Sequence, residues 1–328
     1  MCVLVTGGAG YVGSHLVRRL MRAGRSVVIL DDLSTGHREA LPARVPFYLG
    51  DVADAHLVRR IVSEHSVRSI VHFAGRIQVA ESMRDPRLYY AGNLTATMAL
   101  LDAALDAGVR TFVSSSSAAV YGTPVDVPIG EDADTRPISP YGETKLAVER
   151  LLASYSRAYG LLYAALRYFN AAGAEPGLGE RHVPESHLIP RVLDVALGKS
   201  PRVVVHGDDY PTPDGTCIRD YVHVVDLADG HLAALDYLAA GGESGVFNLG
   251  TGRGRSVREV ISMCRAVTGK EIPVSWGPRR EGDPPSLVAS PRLAQVRFRW
   301  RAECSSLDRI VRDAWAWHRC KEERPHAR

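Results

Sequence analysis

The sequence lacks the features that mark metal, membrane and nucleic-acid classes. Its five cysteines, Cys2, Cys217, Cys264, Cys304 and Cys320, contain no C-x-x-C pair and are odd in number. That argues against a cysteine zinc site and a disulfide framework and fits a reducing compartment. No H-E-x-x-H arrangement occurs among the twelve histidines, and His223 and His231 are too far apart to share a helical turn. The histidines therefore read as core or surface groups, and no metal is expected. No apolar run approaches a membrane span, and the chain starts directly in a strand pattern with no basic-apolar-cleavage leader. A cytoplasmic protein is expected, which makes Asn93-Leu94-Thr95 a chance sequon. The formal net charge of +3 is too small for a nucleic-acid binder, although it does not oppose an anionic ligand. Internal repeats and low-complexity segments are absent as well.

What is present begins at once. The stretch VLVTGGAGYVGSH at 3–15 is a short apolar run, a glycine cluster and the start of a helical pattern, which reads as strand, tight turn, helix. Glycines let the backbone approach a diphosphate without Cβ clashes, and the unsatisfied N–H groups of a helix start carry roughly half a positive charge. Gly8, Gly10 and Gly13 satisfy G-x-G-x-x-G, whereas Gly7, Gly10 and Gly13 give the wider G-x-x-G-x-x-G. The next strand, Val27 to Leu30, ends on Asp31, at about the twenty-residue distance where an acid bonds the adenine ribose hydroxyls. A 2′-phosphate would meet like charge at Asp31 and Asp32, so NAD is favoured over NADP.

With 328 residues and 45% hydrophobic content, the chain can bury one large or two modest cores. Strands at Phe47–Leu49, Ser69–His72 and Arg110–Val113 alternate with helices near Asp54–Glu64 and from Pro86 to Leu105, a pattern that predicts a doubly wound parallel α/β sheet. Ligands collect beyond the carboxyl ends of such strands, where the sequence places Gly50-Asp51-Val52, HFAG at 72–75 and SSSSA at 114–118. A helix over Pro140–Gly160 and a strand at Leu162–Leu166 follow. Past Asn170 the Gly/Pro-rich loop AAGAEPGLGERHVPE and a helix near Leu188–Leu197 open a second, smaller domain, and Pro211–Gly215 is a strong turn. Tyr221–Ala239 and the strand Val246–Leu249 resemble the first half again. The expected division is therefore 1–170, with a return at about 221–250, and mainly 171–328 for the smaller domain.

Tyr141 and Lys145, four apart on a helix, share a face with Cβ atoms about 5–6 Å apart. A phenol is a poor base at its free pKa of about 10, but a nearby ammonium favours the phenolate. Lowered in this way, it can take a proton from a sugar hydroxyl and return it, as hydride transfer from an alcohol carbon requires.

TGGAGYVG, Asp31, HFAG, SSSSAAVYG, YGETK, RYFNAAGA, GDDYPTPDGTCIRDYVHV, FNLGTG and RREGD stand in order from residue 6 to residue 283. Together they resemble the UDP-glucose 4-epimerases of the extended short-chain dehydrogenase/reductase superfamily, and DAWAWH at 313–318 resembles that family's closing helix. The resemblance covers nearly the whole chain. It implies a Rossmann-type fold with a smaller C-terminal α/β substrate-binding domain, and a reversible, non-net redox 4-epimerisation of a UDP-sugar on tightly bound NAD. It further implies that Tyr141 takes the 4-hydroxyl proton, Ser117 hydrogen-bonds that hydroxyl, and Lys145 holds the nicotinamide ribose.

For NAD, the resemblance adds Tyr11 and Val12 at the pyrophosphate beside Gly7, Gly10 and Gly13, and Asp51 and Val52 near adenine. Phe73, Ala74, Gly75, Asn93 and Tyr168 line the rest. For the nucleotide-sugar it implies Asn170, Leu188, Arg219 and Arg280, with Tyr221 and Asp283 at the phosphates and uridine ribose. His206 stands where the family often stacks an aromatic on uracil. Family members are commonly homodimers, and the helices at 86–105 and 140–159 are the expected contact. Two positions depart from the pattern. Ile77 stands where well-known members have a lysine near the cofactor phosphates, with Arg76 beside it. Leu287 replaces a tyrosine that tends to accompany exclusion of N-acetylated sugars, so partial activity on UDP-N-acetylglucosamine is expected. Ala118 and Ala119 after Ser117 argue against a 4,6-dehydratase, whose acid-base pair stands there. A UDP-pentose or UDP-uronate 4-epimerase and a non-catalytic NAD-sensing protein are the alternatives.

Overall fold

The computed structural model describes residues 2–280 and 283–323, the last three as backbone only. The first half alternates β1 (Cys2–Thr6), α1 (Tyr11–Arg22), β2 (Ser26–Asp31), β3 (Phe47–Leu49), α2 (Ala55–Glu64), β4 (Val67–His72), α3 (Val79–Arg84), α4 (Pro86–Tyr89), α5 (Ala96–Asp106), β5 (Thr111–Ser117), α6 (Pro140–Tyr159) and β6 (Leu162–Tyr168). The second half contains β7 (Asn170–Ala172), α7 (Leu188–Ala196), β8 (Val203–His206), β9 (Ile218–His223), α8 (Val224–Ala239), β10 (Gly245–Leu249), β11 (Gly254–Ser256), α9 (Val257–Thr268), β12 (Val274–Gly277), β13 (Ser286–Leu287), α10 (Arg292–Phe298) and α11 (Leu307–Glu323).

Seven strands form one sheet in the order β10-β6-β5-β4-β1-β2-β3, all parallel. Alternation along β1 explains the two layers around it. Val3 and Val5 pack with Leu16 and Leu20 of α1 and Leu227 and Leu235 of α8, while Leu4 points the other way, into Ile61 of α2, Leu100 of α5 and Leu152 of α6. A fully buried side chain such as Leu4 or Ile29 contributes about 1.5–3 kcal/mol. The expectation of a doubly wound parallel sheet holds.

The chain leaves β1 toward β2 on one side and returns as β4 on the other, so a crevice opens between the β1 and β4 carboxyl ends. The loops on its two sides are stitched together there: Phe73 and Ala74 N–H groups both donate to the Thr6 carbonyl, at 2.9 and 3.2 Å. In the second half, β9 pairs with β7, β11 and β13, and β12 lies parallel to β8. Helices α7, α9 and α11 close a third core around Val192, Val260 and Ile310.

Three local expectations are corrected. The helix expected from Pro86 to Leu105 is interrupted by a π-helical turn at Tyr90–Thr95, a feature frequent at functional sites. The strand expected to stop at Val113 runs on through the serines to Ser117, because β6 pairs with it residue by residue up to Ser117 opposite Tyr168. Four serines, three of them buried, are thus strand, not loop. A short helix, α3, fills a stretch assigned to no element. Among the described residues, no helix is long and apolar enough to cross a membrane.

Candidate active site

The cofactor side of the crevice is shaped by backbone. Gly7 has φ +70°, and a Cβ on it would stand 2.4 Å from the Ala74 nitrogen; a Cβ on Gly13 would fall 2.3 Å from the Gly7 carbonyl oxygen. Gly10 is the N-cap of α1, without a side-chain cap and with no acid in the first turn. Nothing from a side chain competes for the donors of that helix start, so the cradle fits a diphosphate. Asp31 closes β2. Its Oδ2 accepts the Ala9 N–H and its Oδ1 the Leu33 N–H, both at 2.9 Å, while burial pushes the carboxyl up. Two of its roughly four acceptor sites remain for a ribose diol. Asp51 is exposed and takes the Ala53 N–H at 2.8 Å; Val52 beside it is buried.

On the other side of the crevice, Phe73 packs on His231 with ring centroids 4.6 Å apart, and His231 Nε2 meets the Tyr168 hydroxyl. Burial lowers His231 to about 4, so its ring is neutral near pH 7. Asn93, in the π-helical turn, is a clamp: Oδ1 accepts the Arg76 N–H at 2.7 Å, and Nδ2 donates to the Arg76 carbonyl and to Thr144 Oγ1, both at 3.1 Å. A Cβ on Gly75 would stand 2.9 Å from Asn93 Oδ1. The Arg76 side chain runs beside Gly92, and its guanidinium lies 3.9 Å from Glu81. It is engaged there, and the neighbouring Ile77 is 40% exposed.

Helix α6 carries Tyr141 and Lys145. Ser139 caps it by accepting the Gly142 N–H at 3.2 Å, Pro140 fixes its first turn, and Gly160 ends it in the left-handed conformation. The cap places Tyr141 in the first turn, with Lys145 and Glu149 one and two turns below on the same face; all three are buried. Ser117 ends β5, its Oγ accepts the Ala119 N–H at 3.2 Å, and its hydroxyl lies close enough to Tyr141 to bear on the phenol's charge. Lys145 Nζ donates to the Ser115 carbonyl at 3.0 Å and lies 5.9 Å from the Tyr141 ring centre. Glu149 accepts from Ser116 at 2.5 Å and binds Arg167 through both carboxylate oxygens at 2.9 and 2.6 Å.

Burial raises Tyr141 above its ordinary value, and the Ser117 hydroxyl opposes that by pulling it down. Burial also brings Lys145 down to about 8, against the attraction of Glu149.

The opposite wall is made of side chains from β7, α7, β8 and β9, with Arg280, Asp283 and Leu287. Arg219 donates to the Ile218 and Pro284 carbonyls at 2.9 and 2.8 Å and lies 3.5 Å from Asp283. His206 is lowered by burial and by Arg280 and Arg191, with Asp283 opposing. These residues therefore share one electrostatic neighbourhood, although they are far apart in sequence. Asn170 pairs with Tyr221 across β7 and β9, Leu188 opens α7, and Leu287 lies opposite Arg219 in β13 and packs on the cluster of Ala118, Val120 and Tyr121 just past Ser117. Glu281 and Gly282 of the RREGD motif lie outside the described residues.

Sequence reasoning missed Glu149, Thr144, His231 and Arg191. A carboxylate eight residues after Tyr141 on one helical face was a readable signal for Glu149; the others become visible only once distant elements pack.

Comparisons agree with this geometry. Residues 3–250 match the NAD dependent epimerase/dehydratase family. A UDP-glucose 4-epimerase of Halalkalibacterium halodurans is 51% identical over 99% of this chain and 97% of its own. The crystal structure of UDP-glucose 4-epimerase from Brucella ovis in complex with NAD superposes with a TM-score of 0.94 at 46% identity, covering 96% of this chain and 98% of that one. That of Bifidobacterium longum UDP-glucose 4-epimerase, in complex with NAD+ and UDP, superposes with a TM-score of 0.93 at 38% identity, covering 98% and 99%.

Proposed function

The chain belongs to the NAD dependent epimerase/dehydratase family, and from that premise we propose that it catalyses the reversible 4-epimerisation of a UDP-hexose. UDP-glucose and UDP-galactose interconvert through a transient 4-keto sugar on tightly bound NAD. The observation that carries this reading is the convergence of Ser117, Tyr141 and Lys145 at the carboxyl end of β5, next to the glycine cradle. The glycine cradle and Lys145 would hold NAD, which would supply the acceptor and donor for the carbon-4 hydride and the positive charge of an oxidised nicotinamide.

Tyr141 Oη takes the proton of the 4-hydroxyl and later returns it. Ser117 Oγ holds the same hydroxyl and keeps the phenol oriented. Lys145 holds the nicotinamide ribose and, while protonated, supplies charge to the site. Gly7, Gly10, Tyr11, Val12 and Gly13 hold the pyrophosphate, Asp31 the adenine ribose, Asp51 and Val52 the adenine, and Phe73, Ala74, Gly75 and Tyr168 the nicotinamide end. Asn93 acts by clamping the 74–76 turn. Asn170, Leu188, His206, Arg219, Tyr221, Arg280 and Asp283 bind the UDP part, the guanidinium groups suiting a diphosphate. We read 1–170 with 221–250 as the cofactor half and the rest of 171–328 as the nucleotide-sugar half.

Leu287 favours a second activity. Packed near Ala118 and smaller than tyrosine, it leaves room at carbon 2 of the sugar for an acetamido group. The exposed Met83, Leu88, Tyr90 and Met98 on α3–α5 support a homodimer joined through these helices and α6, and the cysteine pattern supports a cytoplasmic setting. Incubation with plain, acetylated, pentose and uronate UDP-sugars tests the reading. UDP-glucose and UDP-galactose are expected to equilibrate fastest, and conversion of the pentose or uronate alone would reassign the substrate. Absence of any conversion would leave only an NAD-binding role.

A further inference from the structure

The Gly/Pro-rich segment between β7 and α7 holds a cluster that the epimerase chemistry does not use. Glu180, His182, Glu185 and His187 bring one ligand atom each to within 4.8 Å of one another. Glu180 Oε1 is 2.9 Å from His182 Nδ1 and 2.7 Å from His187 Nδ1, which is in turn 2.8 Å from Glu185 Oε1. We propose that these four side chains form a binding site for a divalent transition-metal ion of the zinc class.

The donor set has the right chemistry and count. Two imidazoles and two carboxylates make a four-coordinate set of the type zinc accepts, and imidazole nitrogen selects against magnesium and calcium. Metal–ligand distances of about 2.0–2.2 Å put the corners of a tetrahedron roughly 3.3–3.6 Å apart, between the closest and the widest separations here. Opening the 2.7 and 2.8 Å contacts to that value takes roughly 0.3–0.5 Å of movement by each side chain. Two carboxylates, two neutral imidazoles and one dication also sum to zero charge, which suits a site where Glu180 is buried and the other three ligands are partly so.

The surroundings hold the ligands in place. Glu180 is 5% exposed, and its backbone carbonyl accepts the Trp317 indole N–H at 3.0 Å. Arg181, between the first two ligands, is tied to Glu39 at 2.8 Å, and its carbonyl meets His37. Glu185 Oε1 accepts the Ser186 and His187 backbone N–H groups at 2.8 Å. The spacing E-x-H-x-x-E-x-H packs four ligands into eight residues, a pattern distinct from H-E-x-x-H. The site also touches both halves of the crevice: the His182 ring lies edge-on to Tyr11 of the cofactor loop, with centroids 6.2 Å apart, and His187 is the N-cap of α7, which carries Leu188. An ion here fastens the 180–187 segment to both.

The alternative is an ion-free network in which protonated histidines pair with the glutamates, and the test separates the two. Tag-free, full-length protein carrying its NAD is stripped with a chelator, desalted, and titrated with zinc against a chromophoric competitor. One equivalent is expected to bind with sub-micromolar affinity, and Glu185→Gln and His182→Ala each weaken it about 100-fold or more. Cobalt bound to the wild-type protein is expected to show the visible bands of a tetrahedral nitrogen–oxygen site without thiolate charge transfer, a readout that does not depend on a variant folding. Affinity no tighter than micromolar, thiolate bands from cobalt, or zinc binding indifferent to both substitutions overturns the proposal.

Discussion

The two walls of the crevice are built by different means. The cofactor wall is mainly backbone: Gly7 and Gly13 are admitted only because they lack a Cβ, the start of α1 offers uncapped donors, and Asp31 and Asn93 spend much of their hydrogen bonding on the loops themselves. The sugar wall is long side chains, Arg219, Arg280, His206 and Asp283, from separate elements and partly bonded to one another or to nearby carbonyls. A backbone cradle tolerates almost no change, because a Cβ at Gly7 or Gly13 would meet backbone. A side-chain wall can alter its specificity by one substitution. Helix α6 carries Tyr141, Lys145 and Glu149, all buried.

The sharpest break of that comparison is at helix α6. Tyr141→Phe keeps the ring and its edge contact with Tyr89 but removes the proton acceptor; turnover of UDP-galactose is expected to fall about 10³-fold, with an unchanged thermal midpoint. On the cofactor wall, Gly7→Ala sets a Cβ 2.4 Å from backbone at φ +70°. At least about 2–3 kcal/mol of strain is expected to appear as lost NAD and a lower midpoint, measured by nucleotide absorbance of the purified protein and by thermal unfolding.

Lys145 sharpens the cost of a buried catalytic helix. Its folded pKa of about 8 lies below the ordinary 10.5, so the unfolded chain holds more protons between those values and stability rises with pH across that window. Below about 8 the full penalty of burying the ammonium is present, about 3 kcal/mol at 1.4 kcal/mol per pH step. Cofactor-stripped Lys145→Met is therefore expected to be more stable than wild type at pH 7 by up to that amount, with the gap closing toward pH 10.5, while its turnover collapses. Denaturant titrations at the two pH values measure it. On the sugar wall the smallest effect is expected. Leu287→Tyr lowers the ratio of acetylated to plain UDP-sugar turnover by roughly tenfold, and an unchanged ratio would remove Leu287 from the specificity account.

The difference between the walls also decides what was legible before the structure. The glycine spacing, Asp31 and the Tyr141–Lys145 pair are local patterns, each written within one strand, turn or helix, and the structure places them around the crevice that those patterns imply. The reach of β5 through Ser117 was hidden because four serines look like loop, and it took pairing with β6 to hold them as strand. The π-helical turn was hidden because the Asn93 within it bonds to Arg76, seventeen residues away, a contact that no local pattern writes. The anchoring of Lys145 on Ser115 is a matter of ångströms that spacing on a helix does not encode. The sugar wall was readable through family resemblance alone, since nothing local ties His206 to Arg280. The Glu180–His187 cluster lay in plain sequence but outside the metal patterns sought.

The central claim is that hydride leaves carbon 4 and returns to the same carbon within one bound complex. UDP-galactose deuterated at carbon 4, incubated with purified protein and no added cofactor, tests it directly. The account predicts UDP-glucose that retains deuterium at carbon 4, with no net NADH formed. Loss of the label to solvent or to free cofactor, or dependence of conversion on added NAD, would contradict it.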